Sequence, residues 1–165
     1  MTTNTVMLLQ TPFFNVVQEG KYYMIKERAV ENGVVIAAQR EDGRYLLARL
    51  FRMAIGQYSF EFPRGAVDKG EDATKAAYRE LSEETGVSCS SVTILGRMHS
   101  NTSLLSSHVA LAHALVTDVS EGDTDGEVDS TQWLSVEQLD EMMVQGLITD
   151  SHTLSLIAMI KARGL

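Results

Sequence analysis

Apolar and polar positions divide this chain into short runs of two different periods. Residues 33–39, "GVVIAAQ", form an unbroken apolar, largely β-branched run and predict a buried strand. Asp42-Gly43 is a hairpin turn signal, and residues 45–51, "YLLARLF", predict the second strand of that hairpin. In "QYSFEF" Tyr58, Phe60 and Phe62 fall on one face and Ser59 and Glu61 on the other, a strand stopped by Pro63. Residues 92–98 and 107–119 predict two further strands, and helices are expected at 73–85, at 136–145 behind a Ser135 cap, and at 151–162. Strands mixed with a few helices predict an α/β (α+β) sandwich with a mixed sheet between helices. Residues 118–129, "DVSEGDTDGEVD", read as a long polar loop, and loops of that length are often functional.

The helix at 73–85 carries an unusual face. Asp72 suits its N-cap, and Gly86 sits where a left-handed C-terminal residue belongs. Glu80, Glu83 and Glu84 share one arc of about 120° with Ala73, Ala76 and Ala77. Lys75, Tyr78 and Ser82 take the opposite side. Alanines let another backbone segment come close, so the glutamates should line a crevice instead of a solvated acidic face. Three carboxylates within about one turn repel one another. A divalent cation resolves that repulsion, and oxygen ligands of this kind suit magnesium or manganese, with substrate phosphates completing the shell.

Composition narrows the partners. The 165 residues are expected to form one domain, 1–165, and 44% hydrophobic with 22% charged residues is ordinary for a globular chain. A net charge of -8 argues against general affinity for nucleic acid or an anionic membrane. Cys89 is the only cysteine, which excludes an intramolecular disulfide and a cysteine zinc cluster. The first residues lack a basic secretory n-region, and no apolar stretch approaches the ~20 residues of a membrane span. A soluble protein of a reducing, cytoplasmic compartment is expected.

Gly65, Glu71 and the run Arg79-Glu80-Leu81-Ser82-Glu83-Glu84-Thr85-Gly86-Val87 together resemble the box of the Nudix hydrolases without a mismatch. The resemblance implies an α/β/α sandwich and hydrolysis of a nucleoside diphosphate linked to another group, with Mg2+ as cofactor and Mn2+ as a substitute. It implies Glu80 and Glu84 as main metal ligands, Glu83 joining directly or through water, and the Arg64 carbonyl as a further ligand. Glu71 and Arg79 would pair and hold the loop against the helix, and Gly65 would serve backbone shape. The likeness extends over about residues 34–160. "LARLFRMAIGQYSFEFPRG" is similar to the lead-in of ADP-ribose pyrophosphatases and related nucleoside-diphosphate-sugar hydrolases, which makes Arg52, beside Phe51, a candidate substrate contact. "DGEVDSTQWLS" resembles the segment bearing that group's catalytic glutamate. Glu127 is thus the candidate base, with Glu83 the second catalytic candidate. Spacing alone does not choose among Asp123, Asp125 and Glu127.

The chain departs from that group in one place. A Pro-Gly usual some 15 residues past the box is replaced by Ser and Thr in "RMHSNTSLLSSHVAL", where Ser103, Ser106 and Ser107 are polar wall candidates. ADP-ribose or a related ADP-sugar is the expected substrate, yielding AMP and a sugar phosphate. A dinucleotide, NADH or a nucleoside triphosphate is the alternative, and a catalytically silent nucleotide sensor is a third reading. Tyr22, Tyr23 and Phe51 are candidates to flank an adenine. His99, His108, His113 and His152 lack ligand spacing and are expected in packing or surface roles, and Trp133 in the core. The related hydrolases are commonly dimers through N-terminal strands, so residues 1–30, and 11–27 in particular, are expected to support a homodimer.

Overall fold

The computed structural model describes residues 5–27, 32–118 and 124–165. Three strands open the chain: β1 (Thr5–Gln10), β2 (Phe14–Glu19) and β3 (Tyr22–Glu27), an antiparallel sheet of its own. The second sheet is built from β4 (Asn32–Gln39), β5 (Tyr45–Arg52), β6 (Gln57–Glu61), β7 (Arg64–Ala66), β8 (Ser88–Met98), β9 (His108–Asp118) and β10 (Ser130–Leu134). Its central order is β10-β5-β4-β9-β8, with β6 paired to β5 and β7 to β4. The β4–β9 pair is parallel and the rest antiparallel, so the sheet is mixed.

β4 explains why its sequence is an unbroken apolar run: both of its faces are covered. Val34, Ile36 and Ala38 pack beneath α1 (Ala73–Thr85) with Leu46, Ala76, Ala77 and Leu81. Val35 and Ala37 face the other way, into a core with Leu139 of α2 (Val136–Val144) and Leu156, Ile157 and Ile160 of α3 (Ser151–Arg163). Helices therefore flank the sheet on both sides, as expected. None of the described helices is long and apolar enough to cross a membrane.

The predicted helices match closely, and the three caps read from sequence are present. Asp72 accepts the Lys75 amide, Gly86 takes φ 69°, and Ser135 forms a capping box with Gln138. Strand β6 differs in detail. Its inward positions are Ser59 and Glu61, 4% and 2% exposed, while Tyr58 lies outward against Phe51 and beneath Arg49. Trp133 is half-buried against the α1-side core, with Arg40 over its ring. The small sheet meets the body where Ile25 accepts from Ser106 N and donates to Leu104 O.

Candidate functional site

Four segments converge on one crevice. β7 runs antiparallel to β4, with Val34 opposite Gly65 and Val35 opposite Arg64, and passes the carboxylate face of α1. The Arg64 amide donates to Glu84 Oε2 at 3.0 Å. Glu84 is buried, and loss of water pushes its carboxyl up to about 7, with the neighbouring Glu80 and Asp125 charges adding to the rise. Glu80 is raised too, by burial first and by Glu83, against the pull of Arg79.

Gly65 is needed for a different reason than backbone shape. Its φ is not in the left-handed region, but a Cβ there would lie 1.9 Å from Glu80 Cδ. The missing side chain is the space that the Glu80 carboxylate occupies.

Arg79 binds the loop to the helix. It takes Glu71 in a fork, Nη2 to Oε2 at 3.0 Å and Nε to Oε1 at 3.3 Å, and also donates to the Ala66 carbonyl at 2.8 Å. Its Nη1 reaches Glu80 Oε1 at 2.8 Å and Glu83 Oε2 at 3.0 Å. The bonds to Glu71 are the main reason the Arg79 guanidinium is held more firmly protonated than usual, and the same bonds hold the Glu71 carboxyl below its ordinary range.

A cavity of about 640 Å³ opens beside this crevice. Its lining includes aromatic and apolar side chains, Phe13, Phe14, Ile25, Leu105 and Val109, together with Glu27. Arg52, Arg64, Gly65, Glu84, Glu127 and His152 also line it. Arg52 is therefore at the cavity, whereas Phe51, Tyr22 and Tyr23 are exposed and are not among its lining residues. Of the serines, Ser107 lines it and Ser103 and Ser106 do not. The loop acids separate by position. Glu127 lines the cavity, Asp125 accepts the Glu127 amide at 2.9 Å while its own amide donates to the Glu83 carbonyl, and Asp129 pairs with Arg49. Asp123 lies outside the described residues.

Sequence patterning did not point to Phe13, Phe14, Ser100 or His152. Phe13-Phe14 follows Pro12 as an apolar pair, a weak signal that only the tertiary contact makes meaningful. His152 sits in the first turn of α3, next to the Asp150 cap, and its surroundings come from β7 and the segment after β8.

The residues present fit a divalent cation by chemistry. Glu80 and Glu84 are oxygen donors whose carboxyls are pushed up by burial, with the Glu83 charge adding at Glu80 and the Glu80 and Asp125 charges at Glu84, the condition that a cation relieves. Among the described residues no three such side chains are already gathered as a cage. Arg79 holds Glu80 and Glu83 meanwhile, and magnesium needs only one or two carboxylates when waters and substrate complete its shell.

Comparison with known proteins places the chain. An RNA pyrophosphohydrolase of Caulobacter vibrioides (strain NA1000 / CB15N) is 55% identical over 56 residues, 34% of this chain and 31% of that protein. Another, from Sodalis glossinidius (strain morsitans), is 42% identical over 72 residues, 44% of this chain and 39% of that protein. The chain thus matches about a third of the length of these relatives, 31% and 39%. A crystal structure of ADP compounds hydrolase superposes with TM-score 0.78 over 98% of this chain and 94% of that one, at 20% identity, which shows a shared fold. The model of the NUDIX domain matches residues 30–151, well over half of the sequence, and the chain belongs to the Nudix family.

Proposed function

We propose that this Nudix hydrolase cleaves the diphosphate of a small nucleoside diphosphate derivative, ADP-ribose or a related ADP-sugar first, releasing AMP and a sugar phosphate. The observation that carries the reading is a cavity lined by both aromatic side chains and arginines beside the glutamate crevice. Its aromatic residues suit a base, its arginines suit a diphosphate, and about 640 Å³ suits a small molecule.

A divalent cation, when bound, lowers the pKa of a water and offsets charge on the diphosphate oxygens. Glu80 and Glu84 would hold it, with Glu83 and the Arg64 carbonyl as further donors, and magnesium is the expected ion with manganese as substitute. The protein's own groups do the rest. Arg52 and Arg64 orient the diphosphate, Phe13 and Phe14 flank the base, and Glu127 accepts the proton of the attacking water. The water attacks one phosphorus in line, and the other phosphate leaves with its substituent.

A second reading is supported by the names of the relatives in sequence, which act as RNA pyrophosphohydrolases. The net charge of -8 weighs against an RNA strand on the surface. The test is a hydrolysis panel with magnesium: ADP-ribose, ADP-sugars, dinucleotides, NADH, nucleoside triphosphates and an RNA with a 5′-terminal polyphosphate. Fastest turnover on an ADP-linked compound is expected. Turnover confined to the RNA or to triphosphates would overturn the assignment. We further propose that the working form is a homodimer joined through the N-terminal sheet, in the cytoplasm.

A further inference from the structure

Glu61 lies outside the box, yet its side chain is only 3% exposed. It stands on β6 opposite Ala48, whose small side chain leaves room for a carboxylate, and Ser59 is buried on the same face. Burying an ionised carboxylate is costly unless it is paired and hydrogen-bonded. Two arginines do this. Arg52 presents a fork, Nη2 at 2.6 Å from Oε2 and Nε at 3.1 Å from Oε1, and Arg64 Nε lies 2.9 Å from Oε2. Both arginines line the cavity and Glu61 lies behind them. The far end of Arg64 is also held, by His152 Nδ1 and by Asp150 Oδ1 at 3.7 Å, while His152 Nε2 meets Ser100 Oγ at 2.7 Å.

We propose that Glu61 is a positioning residue, fixing Arg52 and Arg64 side by side as a single clamp for the substrate's diphosphate. This rests on the reading that the substrate carries one. Two like-charged guanidinium groups would otherwise separate, and each would have to be ordered when substrate arrives. A role in charge balance alone gives the opposite sign. Removing the Glu61 charge makes the cavity more positive, so on charge alone an anion binds more tightly, whereas loss of orientation makes it bind less tightly.

The experiment compares Glu61→Gln, Arg52→Lys and the double variant of the full chain. ADP binding is measured by calorimetry in chelator, and KM and kcat on the best substrate of the panel. Glu61→Gln is expected to weaken ADP binding and raise KM about tenfold, the worth of one charge-assisted hydrogen bond, with kcat within about threefold of wild type. Arg52→Lys keeps the charge but not the fork, and is expected to lose a similar factor. The double variant should be no worse than the weaker single one, because both break the same contact. ADP binding by Glu61→Gln at or above wild-type affinity overturns the proposal, as do losses that multiply in the double variant. If Glu61→Gln does not fold, unchanged ADP binding by Arg52→Lys overturns it alone. A wild type that hydrolyses nothing in the panel sinks the assigned activity but not this test, which reads binding without turnover. A wild type that does not bind ADP sinks the clamp.

Discussion

The Glu80 carboxylate fills the space that a side chain at position 65 would need. A methyl at position 65 would fall within 1.9 Å of Glu80 Cδ, so the carboxylate must move. Only the end of a flexible side chain has to shift, which keeps the cost of Gly65→Ala within the ~1–3 kcal/mol of a modest overpacking. Misplacing a reacting-site group by about 1 Å can cost ~100-fold in rate, and a loss of that size in kcat is expected from a protein that still melts cooperatively. Near-normal kcat would show that Glu80 works from elsewhere. Glu84 gives a second test, through pH. Its carboxyl, raised by burial to about 7, binds a proton in the folded state between about pH 4.5 and 7, where the unfolded chain has lost it. Stability without metal therefore falls as pH rises through that window, by up to roughly 3 kcal/mol. Glu84→Gln should flatten the profile in chelator and be the more stable protein at pH 8. Parallel profiles for the two proteins would sink the assignment. The loop contributes Glu127, whose neighbours are otherwise engaged: Asp125 in a turn with the Glu127 amide and Asp129 with Arg49. Removing a positioned base typically costs ~100-fold or more. Glu127→Gln is expected to lose that much kcat with little change in substrate affinity, and Asp125→Asn to stay within about tenfold. If Asp125→Asn is the slower variant, the base is Asp125.

Helix α1 shows how the elements share the burden of charge. The sequence alone suggests three glutamates in simple repulsion, relieved by removing any of them. The structure places Arg79 among them, already pairing Glu80 and Glu83 while gripping Glu71 and the Ala66 carbonyl. Glu83 is 52% exposed, so its pair is worth about 0.5 kcal/mol at most, and Glu83→Gln should leave the metal-free melt almost unchanged. Arg79→Gln strands Glu71 and an inward carbonyl, and is expected to cost about 1–3 kcal/mol. Thermal melts of both in chelator decide it, and equal shifts would mean that Arg79 is not the tie. Such relations mark the boundary of what was legible. α1, its caps and its box were readable because fixed spacings and helical period carry them. β7 is three residues long and β10 reads "STQWL", too short or too polar for a period to emerge. The polar start of β8, "SCSS", was missed for the same reason. Glu61 falls on the polar face of its strand in sequence, and only the two arginines paired with it account for its burial.

At the scale of the molecule, the cavity depends on a sheet that is poorly covered. Val6, Met7, Leu8 and Leu9 of β1 are each about half exposed, at 47% to 52%. Met7 stands opposite Val17 and Leu9 opposite Val16, so after the bulge between them the two point to opposite faces of the small sheet. An apolar strand uncovered on both faces is a liability in a monomer. A second copy of the chain is the occupant proposed above, because Phe13, 71% exposed and also lining the cavity, ties the uncovered region to the site. The expected mass by light scattering is therefore about twice the 18.2 kDa of one chain. Placing charge on both faces with Met7→Glu and Leu9→Glu should give a monomer. Its core is the separate α1 and α3 packing against the large sheet, so it should fold. Because a partner on β1 would pack near Phe13 and not on the carboxylates of α1, the monomer should show a KM raised by about tenfold, the worth of one well-buried apolar contact, with kcat little changed. A wild type that runs as a monomer at micromolar concentration refutes the dimer, and a monomeric variant with unaltered KM separates the dimer from the site.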